Sequence, residues 1–200
     1  MILVALALVT FILVWQLSLL PFATKSSKIL NLTSEPGREV YPTVSPNERY
    51  LIFTWRHITG SPNLYIKDLQ DKNSSSKQIT FTEDYEGRAV WHPNSEVVFF
   101  QRKHWDFKRC DVVQLNIVTM LENKIATCDA EKDFSLTISS DGSFLAYIVK
   151  KQNDQHLNVK LIDLKSEAME AKLLACHQKC RFQDLDVAFS PDAKQLALSR

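Results

Sequence analysis

Apolar residues are distributed along this chain in two ways. Over the first 24 positions, MILVALALVTFILVWQLSLLPFAT, they run almost unbroken and no side chain is charged. Beyond about residue 38 they come in short bursts separated by polar clusters rich in Ser, Pro, Asn and Asp. The first regime predicts a helix, the second β-strands joined by turns. A helix over positions 1–20 would be about 30 Å long, the thickness of a bilayer core. The expectation is a transmembrane helix over 1–22, in direct contact with the membrane, then a polar tether over 23–37. A cleaved signal peptide competes with this reading. It calls for a basic leading segment, a shorter apolar core and small residues at the cut. Here no Lys or Arg precedes the run, and the exit reads PFATKSS. A buried soluble helix would need a polar face, which the run lacks. Lys25, Lys28 and Arg38 follow the run, so the positive-inside rule taken literally puts the C-terminal side in the cytoplasm, if Met1 is the true start.

Within the second regime four segments share one pattern: a polar residue, Pro or Ser, then Asn or Asp, then an apolar run. They are TVSPNERYLIF from Thr43, VWHPNSEVVFF from Val90, TISSDGSFLAY from Thr137 and AFSPDAKQLAL from Ala188. Ser45-Pro46-Asn47, His92-Pro93-Asn94, Ser139-Ser140-Asp141-Gly142 and Ser190-Pro191-Asp192 are the matching turn positions. A period near 50 residues signals a solenoid, an array or a propeller.

Each unit reads as β. A short strand ends at Val44, Val90 or Ile138, a turn follows, and a strong strand comes next: Tyr50–Trp55, Val97–Phe100 or Phe144–Val149. These runs are apolar on both faces, which predicts interior strands between neighbouring sheets. A third strand aligns as NLYIKDL from Asn63, DVVQLNI from Asp111 and NVKLIDL from Asn158, and a fourth lies around Ile79, Ile125 and Leu173. Asp68, Asn116 and Asp163 occupy one position of strand three, where a turn role is expected. Ser166–Leu174 reads as a short helix or as a turn followed by strand four. Four short antiparallel strands per unit make a propeller blade. The predicted class is therefore all-β, an incomplete β-propeller of about 3.5 four-stranded blades after one N-terminal transmembrane helix. Its blades are expected at 38–84, 85–132, 133–181 and, in part, 182–200. The pattern breaks off inside strand two of the fourth unit, so a fragment of a longer protein is expected.

With these motifs in hand, residues 36–200 resemble the WD-like β-propeller repeat of the TolB type. His92 in place of Ser, and the missing turn Gly in the second unit, depart from the family pattern. The resemblance implies a ring of further blades and a surface for a protein or small-molecule ligand.

Composition adds limits. The 200 residues are 45% hydrophobic and 24% charged with a formal net charge of +1, so no basic field marks a nucleic-acid surface on this segment. Four cysteines change the picture more. Cys110 and Cys128 flank a hairpin whose midpoint, Thr119, falls in its turn, which places them opposite one another. Cys176 and Cys180 flank a polar loop where a second local bridge is open, with four unrelated thiols as the alternative. Pairing suggests an oxidising compartment, the periplasm, against the literal charge rule.

Candidate chemistry is thin. Cys176-His177-Gln178-Lys179-Cys180 lacks zinc or haem spacing. His57, His92, His104 and His156 fall in or beside turns and read as solvated, as does the basic stretch Arg102–Arg109. No nucleophile elbow, zincin motif or P-loop occurs. No catalytic, cofactor-binding or metal-binding residue is therefore assigned, and the chain is not expected to be an enzyme. The order span, tether, propeller resembles the membrane and periplasmic part of CadC/ToxR-like winged-helix regulators. That resemblance implies a single-pass protein of the bacterial inner membrane that senses a partner or ligand. A propeller gating a prolyl-oligopeptidase-like serine peptidase and a TolB-like envelope scaffold are the alternatives.

Overall fold

A computed structural model describes residues 29, 31–33, 35–71, 73–129, 135–150, 157–174 and 186–198. The expected helix over 1–22, most of the tether, His156, Cys176 and Cys180 lie outside the described residues. The chain divides into units 1–34 and 35–200, and the second carries the fold described below. Among the described residues there is no helix, and so none long and apolar enough to cross a membrane.

The strands form antiparallel meanders in chain order. The first sheet is β1 (Arg38–Val44), β2 (Tyr50–Arg56), β3 (Asn63–Asp68) and β4 (Lys77–Gln78). The second is β5 (Tyr85–Trp91), β6 (Val97–Lys103), β7 (Cys110–Asn116) and β8 (Glu122–Cys128). The third is β9 (Leu136–Ile138), β10 (Phe144–Lys150), β11 (Leu157–Asp163) and β12 (Ala171–Leu174). The fourth sheet has β13 (Val187–Phe189) and β14 (Leu196–Leu198). Residues 164–170 are turn and irregular chain leading into β12, so the segment 166–174 is not helical.

The second strands of the two middle sheets, β6 and β10, each serve two seams because side chains alternate across a sheet. Val98 and Phe100 of β6, with Trp91, Val113 and Leu115, pack on Ile52, Leu64 and Ile79 of the first sheet. Phe99, between them, turns to the third sheet and meets Leu136, Leu145 and Tyr147. In β10 the same division holds: Leu145, Tyr147 and Val149 face the second sheet, while Ala146 and Ile148 pack with Val187, Phe189 and Leu196 of the fourth. A polar residue on either side would break a seam, which is why these runs are apolar without alternation. First strands are neighbours across each seam, β1 beside β5, β5 beside β9 and β9 beside β13. The sheets thus fan out from their first strands.

Antiparallel order also sorts the connections. The turns β1–β2 and β3–β4, and their counterparts, gather at one end of the fan, here the turn end. The β2–β3 and β6–β7 loops and the β4–β5 link gather at the other, the loop end. The chain enters at the loop end: Arg38 pairs with Arg56, and Trp55 Nε1 donates to the Pro36 carbonyl at 3.2 Å.

Candidate functional site

The repeated turn is built the same way four times. The N–H groups of Ser45, His92, Ser139 and Ser190 donate to the carbonyls of Tyr50, Val97, Phe144 and Gln195 at 2.8–2.9 Å, closing each hairpin. In three copies the serine hydroxyl donates to the Asn or Asp two residues on: Ser45 to Asn47 at 2.7 Å, Ser139 to Asp141 at 2.6 Å, Ser190 to Asp192 at 2.6 Å. That hydroxyl also accepts from Tyr50, Phe144 or Gln195 N–H. The serine hydroxyls, helped by Ser143 at Asp141 and by Lys194 N–H at Asp192, hold Asp141 well below the usual carboxylate range and lower Asp192. His92 has no hydroxyl. Its Nδ1 accepts from Asn94 N–H at 3.2 Å, and Asn94 Oδ1 takes over the outgoing strand by accepting from Val97 N–H.

Turns of adjacent sheets also join. Asn47 N–H donates to Ser95 Oγ at 3.1 Å, and Ser140 Oγ donates to the Pro191 carbonyl at 2.6 Å. The polar atoms of Ser45, Asn47, Ser140, Asp141 and Asp192 are thus used in closing and joining turns. Asp68, Asn116 and Asp163 work likewise in the β3–β4 type of turn, accepting from Gln70, Val118 and Lys165 N–H.

The fourth turn position is left-handed throughout, at Glu48 (φ 58°), Ser95 (φ 61°), Gly142 (φ 72°) and Ala193 (φ 59°). A side chain there costs about 1–2 kcal/mol, more than the roughly 0.4–1 kcal/mol of unfolded-chain entropy that a glycine adds. Glu48→Gly is therefore expected to raise stability by roughly 0.5–1 kcal/mol. Gly142→Ala should lower it, since its Cβ would stand 2.6 Å from His92 Nε2 and 2.9 Å from Pro93 Cδ. Urea midpoints of the full chain in mild detergent check both; equal midpoints for wild type and G142A would refute this account of the turn.

Cys110 and Cys128 lie opposite one another on β7 and β8 and form a disulfide, with Cα atoms 4.8 Å apart. Among the described residues no His, Cys, Asp and Glu cluster could hold a metal ion.

Two ionic groups at the loop end were not visible in the sequence pattern. Glu86 of β5 is buried, and its Oε1 accepts from Arg102 Nε at 2.8 Å and Thr82 Oγ1 at 3.0 Å. Its Oε2 has no hydrogen-bond partner. Burial pushes this carboxyl up to about 7, against the opposing pull of Arg102 and Thr82. Arg102 forks onto Glu122 at 2.8 and 3.1 Å. Burial works against its charge, but Glu122 and Glu86 hold its pKa above the ordinary value. Arg102 belongs to β6, so it is no part of a solvated basic loop. His104 is also engaged, its ring nitrogens 3.4 Å from Asp84 and 3.1 Å from Asp111, while Lys124 Nζ reaches Asp111 at 2.7 Å. The His57 ring lies tilted against Trp55 with ring centroids 3.9 Å apart. A cavity of about 340 Å³ opens between the third and fourth sheets, lined by Phe144, Leu161, Leu174, Phe189 and Leu196 with Lys194 and Gln195. Nothing in it is arranged for bond-breaking chemistry.

Fan-wise sheets hinged on their first strands, sharing one turn motif, define a TolB-like β-propeller fold. Known structures agree. TolB from Acinetobacter baumannii superposes with a TM-score of 0.68 at 15% identity, covering 88% of this chain and 41% of that one. A structure from an analysis of two prolyl endopeptidases gives 0.57 at 12% identity, over 82% of this chain and 26% of that one. A chain of a nidogen/laminin complex gives 0.63 at 10% identity, over 88% and 60%. The present chain spans less than half of that TolB. No protein-family model matches the sequence, and no curated protein matches it.

Proposed function

We propose that this chain is a membrane-tethered propeller segment that binds a partner without transforming it. The observation that carries this reading is how the polar groups are used: the repeated Ser, Asn and Asp side chains close and join turns instead of converging on a pocket. The uncharged run over 1–24 supports the tether. The Cys110–Cys128 disulfide supports a propeller in the periplasm, attached by a single pass to a bacterial inner membrane. Within this reading the finer role is signal input for a CadC-like regulator, supported by the order of span, tether and propeller. A TolB-like envelope scaffold fits the same fold. The likeness to a prolyl endopeptidase propeller favours a second reading, in which these sheets gate a hydrolase.

Topology tests the first reading. Alkaline phosphatase fused after Arg200 is expected to be active in a bacterial host, with green fluorescent protein at the same place dark. The reverse pair of signals would overturn the periplasmic assignment.

A further inference from the structure

We propose that the loop end is a membrane-docking face, which lays its aromatic tips in the interfacial layer of an anionic bilayer; this rests on the tethered reading above. Four large apolar side chains stand out there: Ile58 is 83% exposed, Phe81 74%, Trp105 68% and Phe107 52%. Single exposed apolar residues are ordinary, but these four crown three loops that are fastened together. Ser61 Oγ donates to the Glu83 carbonyl at 2.6 Å, and Asn63 Nδ2 donates to the Thr82 carbonyl at 3.3 Å. Trp105 N–H donates to Asp84 Oδ1 at 3.0 Å, and the Tyr85 and Phe107 rings lie 4.9 Å apart. The tips are therefore held in place without being covered.

The occupant follows from three features. Trp105 beside cations suits the water–lipid interface, where an amphipathic indole sits at headgroup level, and Phe81, Phe107 and Ile58 add apolar surface that can enter the acyl boundary. Lys108 and Arg109 follow Phe107 directly and, like Arg56, form no ion pair among the described residues. Position agrees with chemistry. The chain enters at this end through Pro36 and Arg38, and the 13 residues from Lys25 to Gly37 span at most about 45 Å. The turn end differs: among the described residues its exposed apolar side chains, Val44, Val118, Met120 and Leu121, include no aromatic ring, and Glu48, Asp68, Glu96, Asp141 and Asp163 are mixed there with Arg49, Lys165 and Lys194. Glu83 and Asp106 also sit at the loop end, so dependence on lipid charge should be moderate.

The test uses the full chain reconstituted into vesicles of phosphatidylcholine and phosphatidylglycerol containing brominated acyl chains, which quench nearby tryptophan. Trp55 and Trp91 are buried, and Trp15 is common to both proteins compared, so the difference between wild type and Trp105→Phe isolates Trp105. That component is expected to be quenched, and quenched about fivefold less in phosphatidylcholine alone or in the Lys108→Glu/Arg109→Glu double variant. Identical quenching in wild type and W105F, with both resisting an alkaline carbonate wash, would overturn the docking face and leave the tether standing. A chain that washes off in carbonate removes the tether, and the proposal with it. Trp105 emission that ignores lipid but shifts with an added envelope protein would assign the surface to that protein instead.

Discussion

Arg102→Met is expected to destabilise the propeller by about 3–5 kcal/mol at pH 8, the cost of leaving a buried charge without its partner. Glu86 is that charge. Its side chain is fully covered, one oxygen already lacks a hydrogen bond, and Arg102 Nε is its nearest cation. The loss should shrink at pH 5, because an unpaired Glu86 escapes the penalty by taking a proton. The unmutated protein should show a milder form of this behaviour. Folding lifts the Glu86 carboxyl from an ordinary 4.5 to about 7, so the folded state holds more protons between those values. Its contribution is therefore full below about pH 4.5 and is lost as pH rises through 7, a swing of roughly 3 kcal/mol at most. Glu86→Gln should flatten the profile in that window, and Glu86→Leu/Arg102→Met should recover most of the stability lost in R102M. Urea unfolding of the full chain from pH 5 to 8 decides this. An R102M loss independent of pH would show that Glu86 is not the group left behind.

Reduction of the Cys110–Cys128 bond is expected to cost about 3 kcal/mol. The bond closes a loop with a sequence separation of 18, and cross-linking a loop of that length removes about that much unfolded-state freedom. It also staples β8, the outermost strand of its sheet, to β7. The same β8 supplies the Thr127 carbonyl that accepts from the buried Tyr147 hydroxyl of the third sheet at 3.0 Å. Freeing β8 should therefore loosen the second seam as well as its own hairpin. Cys110→Ala/Cys128→Ala is expected to match the reduced protein in urea midpoint. In hydrogen exchange, faster amide exchange should appear along β8 and β10 before β2. Unchanged stability on reduction would mean that the hairpin needs no covalent help.

Much of this architecture was readable because its causes are local. Ser45, Asn47, Ser139, Asp141, Ser190 and Asp192 are short side chains able to close a turn on themselves, so their recurrence marked the first reversal in three of the four sheets. Runs such as VVFF at residues 97–100 are apolar on both faces because both faces meet another sheet. The cysteine pair followed from hairpin arithmetic alone. Features that depend on the neighbouring strand stayed hidden. Glu86 in YEGRAVW looks like any acid on a solvated strand face, and only its register with Arg102 shows it to be buried. Arg102 read as the start of a basic loop, although it ends an inward-facing series with Val98 and Phe100. A turn Gly hinted at the left-handed fourth position in one copy. Glu48, Ser95 and Ala193 occupy the same conformation without announcing it, because hydrogen bonds on either side outweigh the strain.

Because each turn fastens its own hairpin as well as touching the next, a block of about 47 residues cut at equivalent turn positions carries a complete set of closures with it. Such a block is a natural unit of genetic duplication or exchange. A gene in which the stretch between Ser45 and His92 is copied once more should yield a longer array with one extra seam, whereas copying a stretch that is not a whole repeat should leave strands without their partners.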